Sequence, residues 1–433
     1  MREMKDSGIP WIGEIPKEWK VVKLRNLGKF SASGIDKKIV EDEPLVRIIN
    51  YVDIYKNTNK ELWEQDYMVV SAPAEKCQEH QVNVGDMFFT PSSETIEDIG
   101  VSAVVMEELA NTAFSYHIIR FQPTTDIDFN FRKYITNNTA CLNYFSSCAT
   151  GSIRKTISRN VFKECIVLLP TLAEQQRIAE FLDRKCAEVD EMIGLQEQII
   201  EELKAYKQSV ITEAVTKGLN PDTPMRDSGI EWIGQIPEHW RVMQFRRLFE
   251  IKKTIANALG YDVLSVTQGG LKVKDLSANE GQIAQDYSKY QIVGKDDYVM
   301  NHMDLLTGFV DCSTQIGVTS PDYRVFQSIC KADISLSYFL RIFQTCYKLK
   351  IFYHLGQGVS GMGRWRLPTE QLKLFYLPVP PLIEQLDIAD YLDEKCADID
   401  SLIQTKLSKI DSLKEYKKSI IYEYVTGKRE VTE

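Results

Sequence analysis

LPTLAEQQRIAEFLDRKCAEVDEMI, residues 169–193, is written again as VPPLIEQLDIADYLDEKCADIDSLI at residues 379–403, with 13 of 25 positions identical. The match resumes as LKAYKQSVITEAVT (203–216) against LKEYKKSIIYEYVT (413–426). Both copies place apolar residues on seven-residue lines. Leu182, Val189, Leu203 and Val210 share one line with a polar break at Gln196, and Leu392, Ile399, Leu413 and Ile420 share the other with a break at Lys406. Ile178, Ile193 and Ile200 widen the stripe, which predicts long helices that pack as a pair or coiled coil. Thr171 with Glu174 suits a capping box, Pro381 a first helical turn, and Gly218 before Asn220-Pro221 a stop. The first helix is expected over about 172–216, roughly 65 Å long at 1.5 Å per residue.

A second repeat opens each half. MKDSGIPWIGEIPKEW (4–19) and MRDSGIEWIGQIPEHW (225–240) share 11 of 16 positions, including Trp11/Trp232 and Trp19/Trp240. The segments between the repeats, 20–160 and 241–370, resemble each other only faintly. Each half is a shared start, a divergent middle and a shared tail. Strand-like LVRIIN (45–50), GVSAVVM (100–106), YHIIRF (116–121) and DVLSVT (262–267) stand beside helix-like NFRKYITNNTACLNYF and SLSYFLRIFQTCYKLKIFY. The expected fold is α+β, with two mixed α/β domains separated by two long antiparallel helices in a coiled-coil-like rod, related by a pseudo-twofold repeat. The segments run 1–160, 161–220, 221–370 and 371–433.

Catalytic readings are thin. The nine cysteines form no C-x-x-C pair, and the five histidines no H-E-x-x-H, so no disulfide framework, zinc ribbon or histidine-rich metal site is indicated. GQGVSG (356–361) matches G-x-G-x-x-G but is followed by MGRWRLP, which opens no helix. LDRK (182–185) and LDEK (392–395) echo a nuclease motif only faintly and sit mid-helix. There is no G-x-x-x-x-G-K-[ST] and no [DN]-P-P-[YFW]. The longest apolar runs are too short to span a bilayer and the first residues lack a signal core, so a cytoplasmic protein without membrane contact is expected.

The net charge of -9 conceals a division. Residues 241–375 carry 17 Lys and Arg against 12 Asp and Glu, residues 20–160 carry 16 against 18, and residues 171–217 carry 6 against 10. One middle is modestly basic and the rod is acidic. TGSIRK (150–155) stands in step with SGMGRW (360–365) at an offset of 210, so that Arg154 and Arg364 end equivalent turns. A hydroxyl, a glycine and an arginine suit an anion contact; a structural turn with a surface arginine is the plainer alternative.

The order D-S-G-I-x-W-I-G-x-I-P-x-x-W, divergent domain, P-x-L-x-E-Q-x-x-I-A-x-x-L-D-x-K helix, all repeated once, resembles the specificity subunit of type I restriction-modification systems. The resemblance covers the whole chain. It implies that the middles are target recognition domains, each reading half of a split duplex-DNA sequence. The helices would hold two modification (methyltransferase) subunits, with restriction subunits joining later. The chain itself would be non-catalytic and carry no cofactor, S-adenosylmethionine, ATP and Mg being expected on the partner subunits. Two readers on a stiff rod meet one face of B-DNA at half-sites about one turn, roughly 34 Å, apart.

Within that frame Trp11, Glu174, Gln175, Trp232, Glu384 and Gln385 are candidates for building and presenting the partner surface; a cap, a helix pair and a buried tryptophan are the intramolecular alternative. Base-reading residues do not carry over. Polar side chains on corresponding loops are the nominees: Arg47 and Asn50 with Thr267 and Gln268, and Ser92 and Ser93 with Asn301. Arg154, Lys155, Arg364 and Arg366 are nominated as phosphate clamps. Two alternatives stand beside this reading: a specificity module for a fused methyltransferase-nuclease, and a coiled-coil adaptor with no DNA role.

Overall fold

A computed structural model describes residues 2–10, 12–96, 98–274, 287–358 and 365–432. The tails are helical as their periodicity predicts: Leu172–Lys217 and Leu382–Val425, 46 and 44 residues. The first is about 69 Å long at 1.5 Å per residue. The chain divides into two compact units, residues 1–196 with 407–433, and residues 197–406, so both long helices contribute to both units.

In the first unit a five-stranded sheet runs in the order Gly28–Ala32, Ile119–Pro123, Met87–Phe89, Ser102–Val105, Glu61–Leu62. A three-stranded sheet, Thr112–Phe114, Leu45–Ile49, Met68–Ser71, lies apart from it. Lys20–Lys23 pairs antiparallel with Ile166–Leu169, closing the domain immediately before the first long helix. The core is shared with the helices: Phe89, Phe121, Phe145 and Phe162 form one cluster with Ile178, Leu182 and Cys186 of the first helix and Ile420, Tyr424 and Val425 of the second. Here the helices run antiparallel, since Phe181 meets Tyr424 (ring centroids 4.4 Å) and Asp190 meets Lys417 (2.6 Å).

The second unit repeats the plan with a smaller sheet, Phe249–Lys252, Arg324–Ser328, Tyr298–Met300, Val310–Cys312. Arg241–Gln244 pairs with Tyr376–Val379 before the second long helix. Phe249, Tyr298, Phe326, Phe339 and Phe343 pack ring against ring, and their cluster takes in Ile211 and Val215 of one long helix and Ile388 and Leu392 of the other. Lys207 meets Asp400 (2.6 Å), again an antiparallel pair.

The two helix-like stretches of the middles are each interrupted. Arg132–Ile135 and Thr139–Ser147 are separated because Asn138 turns extended and its side-chain oxygen caps Ala140 and Cys141. Leu336–Lys348 and Ile351–His354 are separated at Lys350, which adopts a left-handed φ of 57°.

The opening motif is a joint. In both copies Asp Oδ1 accepts from the glycine two residues on (Gly8 N 3.0 Å; Gly229 N 2.9 Å), and serine Oγ accepts from the following isoleucine N (3.1 Å in each). Trp19 and Trp240 are each 1% exposed, and their indole N–H groups donate to Glu174 (3.1 Å) and Glu384 (2.9 Å) in the first turn of the helix that ends the same half. The other side of each motif meets the end of the long helix from the other half. Gly427 lies against Pro16 and Trp19, and Gly218 against Pro237 and Trp240, at φ values of 70° and 78°. That left-handed turn favours glycine, and a β-carbon would press on the tryptophan joint.

Candidate nucleic-acid interface

In the first unit the turn after strand Met87–Phe89 and the loop before helix Arg159–Glu164 meet. Thr150 and Thr156 exchange backbone hydrogen bonds (3.0 and 2.8 Å), Lys155 Nζ donates to Gly151 O (2.7 Å), and Lys155–Thr156 pairs with Ser92–Ser93. This pinned hairpin holds Ile153 at 91% exposure beside exposed Arg154. The Arg154 guanidinium lies 5.9 Å from the Tyr51 ring centroid, and Tyr51 stacks on Tyr55 at 5.4 Å. Tyr116 lies against His117 with centroids 3.8 Å apart. Burial, and then the charges of Lys37 and Arg154, push the His117 imidazole below its ordinary value. Cations and ring faces thus converge, a combination suited to phosphates and bases.

The second domain builds its counterpart differently. Gln357 and Arg366 pair through their backbones (2.8 and 3.0 Å), Leu367 N donates to His302 O (3.0 Å), and Leu305 N donates to Trp365 O (3.2 Å). Beneath them Arg324, 6% exposed, donates through Nη2 to Leu367 O (3.1 Å) and Thr369 Oγ1 (2.9 Å). Its burial lowers the guanidinium pKa to about 10. Burial and the charges of Arg324 and Arg366 lower half-buried His302 to about 4. A separate hairpin, Leu264–Thr267 with Gly270–Val273, exposes Gln268 at its turn and donates Leu271 N to the Asp311 carboxylate (2.6 Å).

Comparison with known proteins gives these surfaces a family. The family described as "Type I restriction modification DNA specificity domain" matches twice, over residues 16–205 and 237–412. The chain belongs to that family. Each specificity-domain match takes in one divergent middle and much of the helix that follows it. Over 96% of this chain and 95% of the relative, it is 24% identical to a Methanocaldococcus jannaschii protein assigned as the type I restriction enzyme MjaX specificity subunit. It is 25% identical to the type I restriction enzyme EcoBI specificity subunit of Escherichia coli over 60% of this chain and 58% of that one. The fold is similar to a chain from work on complex assembly and conformational transition of the type I R-M system (TM-score 0.68, 14% identity, 96% and 99% of the two chains). It is also similar to the HsdS subunit from Thermoanaerobacter tengcongensis (TM-score 0.51, 14% identity, 96% and 98%).

In this specificity chain several nominated readers prove to be internal. Arg47 grips Glu64 through both amino groups and also reaches Ala110 O, so its fork is already filled, and Glu64 raises its pKa. Asn50, 6% exposed, caps helix Tyr51–Tyr55 in a capping box with Asp53 and accepts from Ser115 Oγ (3.1 Å). Ser93 is 2% exposed and accepts from Thr95 N (3.2 Å), while Ser92 is half-buried in the strand pair. Thr267 Oγ1 closes its own turn on Gly270 O (2.9 Å), and Asn301 Oδ1 accepts from Met303 N (3.3 Å). These six side chains hold loops and turns together, where contacts to base edges were expected. Arg154, Lys155, Gln268 and Arg366 stand on hairpins. Arg364 and Trp11 lie outside the described residues.

The nominated partner residues are also turned inward. Gln175, 1% exposed, donates to Pro170 O (2.9 Å) and accepts from Asp128 N (2.8 Å). Gln385, fully buried, donates to Pro380 O (2.9 Å) and Asp333 O (3.1 Å) and accepts from Ser335 N (2.8 Å). Each glutamine fastens a recognition domain to a helix start. Glu174 and Glu384 hold the buried tryptophans, and half-buried Trp232 stacks on Phe375 at 5.3 Å. Asp183 and Asp393, of the faint nuclease echoes, accept from Lys133 (2.7 Å) and Arg341 (2.6 Å) as further clamps. Among the described residues there is no metal-binding group of His, Cys, Asp or Glu, and no helix is long and apolar enough to cross a membrane.

Tyr51, His117, His302 and Arg324 were not among the residues expected at this surface. Tyr51 follows a strand end, where a polar-aromatic turn could have been suspected; Arg324 begins a core strand, where nothing marks it.

Proposed function

We propose that this chain reads a split duplex-DNA target, one half per recognition domain, and presents it to two identical methyltransferase subunits. Restriction subunits would join that complex, and S-adenosylmethionine, ATP and Mg would be bound by the partners, this chain contributing no catalytic group. The observation that carries the reading is the double specificity-domain match on a repeated scaffold with divergent middles. Retained joints serve one partner twice, whereas divergent middles serve two different half-sequences. The relatives named as specificity subunits of type I restriction enzymes support it. The reading places the protein in the cytoplasm, with its DNA.

The test is to co-express the chain with its cognate methyltransferase in a host without other modification and map methylated bases by long-read sequencing. A single bipartite motif is expected, and deleting the chain should abolish it. Its absence, with both proteins folded and associated, would refute the reading.

A further inference from the structure

Five buried side-chain nitrogen or oxygen atoms among the described residues have no hydrogen-bond partner, and two of them, Arg324 Nη1 and His302 Nδ1, belong to neighbouring residues of the second recognition domain. A buried guanidinium normally has a carboxylate, because leaving a charged donor unpaired costs more than the pair returns. No carboxylate among the described residues pairs with Arg324. Asp304, two residues beyond His302, is spent on Leu306 N (2.9 Å), Thr307 N (3.0 Å) and the Thr307 hydroxyl. Arg366 adds a third nitrogen-rich group close to His302, and the cluster grades outward from buried Arg324 through half-buried His302 to exposed Arg366.

This cluster is absent from the repeated scaffold. The sheet position of Arg324, opposite Met300, is held in the first domain by Ile119, opposite Phe89. The loop position of His302, whose carbonyl accepts from Leu367 N, is held by Pro91, whose carbonyl accepts from Ile157 N (2.8 Å). The cluster is a property of the second domain alone.

We infer that Arg324, His302 and Arg366 form an anion pocket that takes one phosphate of the DNA backbone in the half-site read by the second domain. A phosphate oxygen accepts several hydrogen bonds at once, so one group could satisfy Arg324 Nη1 and a neutral His302 that carries its proton on Nδ1, while Arg366 closes from the solvent side. Arg324 Nη2 already fixes Leu367, so the seated phosphate would set the register of the Gln357–Arg366 hairpin on the duplex. The inference rests on the DNA-reading role proposed above.

The experiment uses the complex of the full chain with its methyltransferase, the bipartite duplex found by methylation mapping, and duplexes with a single neutral methylphosphonate at each backbone position of the second half-site. One position should cost the wild type about tenfold or more in affinity, the size of a lost charge-assisted bond. R324Q should lose a similar factor on natural DNA, show no further loss at that position, and lower the salt slope by about one. Because R324Q also loosens Leu367, H302A is the companion: it leaves that bond in place and should share the insensitivity to the same phosphate. Variants that bind more weakly yet keep every wild-type methylphosphonate response would overturn the pocket, leaving Arg324 a strut. Inorganic phosphate at constant ionic strength that protects the wild type but not R324Q from unfolding, with no backbone position responding, would overturn the assignment to DNA. A wild-type complex that fails to bind the mapped duplex would instead sink the DNA-reading role itself.

Discussion

Asn50 has the amide that pairs well with adenine, yet its oxygen is held by Tyr51 N (3.0 Å) and Ser115 Oγ (3.1 Å). Replacing it with alanine should therefore cost the first unit about 1–2 kcal/mol, the usual loss of an N-cap, seen as a lower urea midpoint. The methylated sequence should remain the same. A changed motif at unchanged stability would make Asn50 a reader after all. Glu174 is informative in another way. Burial pushes its carboxyl up, but the Trp19 indole, Arg2 and Thr171 outweigh this and hold it below the ordinary value. A depressed carboxylate contributes stability that is full above its unfolded pKa and is lost as pH falls through the folded one. The urea midpoint should fall from about pH 4.5 downward, and W19F should flatten that fall. Single residues were the hardest scale to read from sequence. Polar type and loop position select base readers and turn-formers alike, and only the fold shows which hydrogen-bonding groups are already taken.

The long helices were readable almost to the residue, 172–216 expected against Leu172–Lys217 found, because a heptad line is a property of the segment itself. Leu392, on the expected line, is fully buried between the aromatic core and the helix pair. Leu392→Ala should cost about 2–5 kcal/mol in the second unit, measured by chemical denaturation. The same change at Leu402, which is 50% exposed, should cost under about 1 kcal/mol. The shorter helices were read less well. One run of suitable residues concealed the break at Asn138 and the left-handed turn at Lys350, both imposed by how the segment ends pack. Three of the four strand-like runs contain an observed strand, Leu45–Ile49, Ser102–Val105 and Leu264–Thr267, and the run 116–121 overlaps Ile119–Pro123, but their partners came only from three-dimensional pairing.

Duplication was the most readable property of the whole molecule, since it needs no physics beyond comparing the chain with itself. If the helices set the distance between half-sites, seven residues inserted after Gln196 and after Lys406 add about 10.5 Å to each. The unspecified spacer in the methylated motif should then lengthen by about three base pairs, with both half-sequences unchanged, when mapped by long-read sequencing. An unchanged spacer in an active complex would show that helix length does not set the spacing.

The ion pairs between the helices have a consequence for inheritance. Asp190 and Asp400 are equivalent residues, as are Lys207 and Lys417, yet Asp190 pairs with Lys417 and Lys207 with Asp400. Every bridge joins an aspartate from one half to a lysine from the other. A charge reversal in one tail therefore sets like charges against each other unless the opposite half changes too. Exchange of an entire middle touches neither bridge, provided that the incoming segment keeps the groups that meet Gln175 and Asp183, or Gln385 and Asp393.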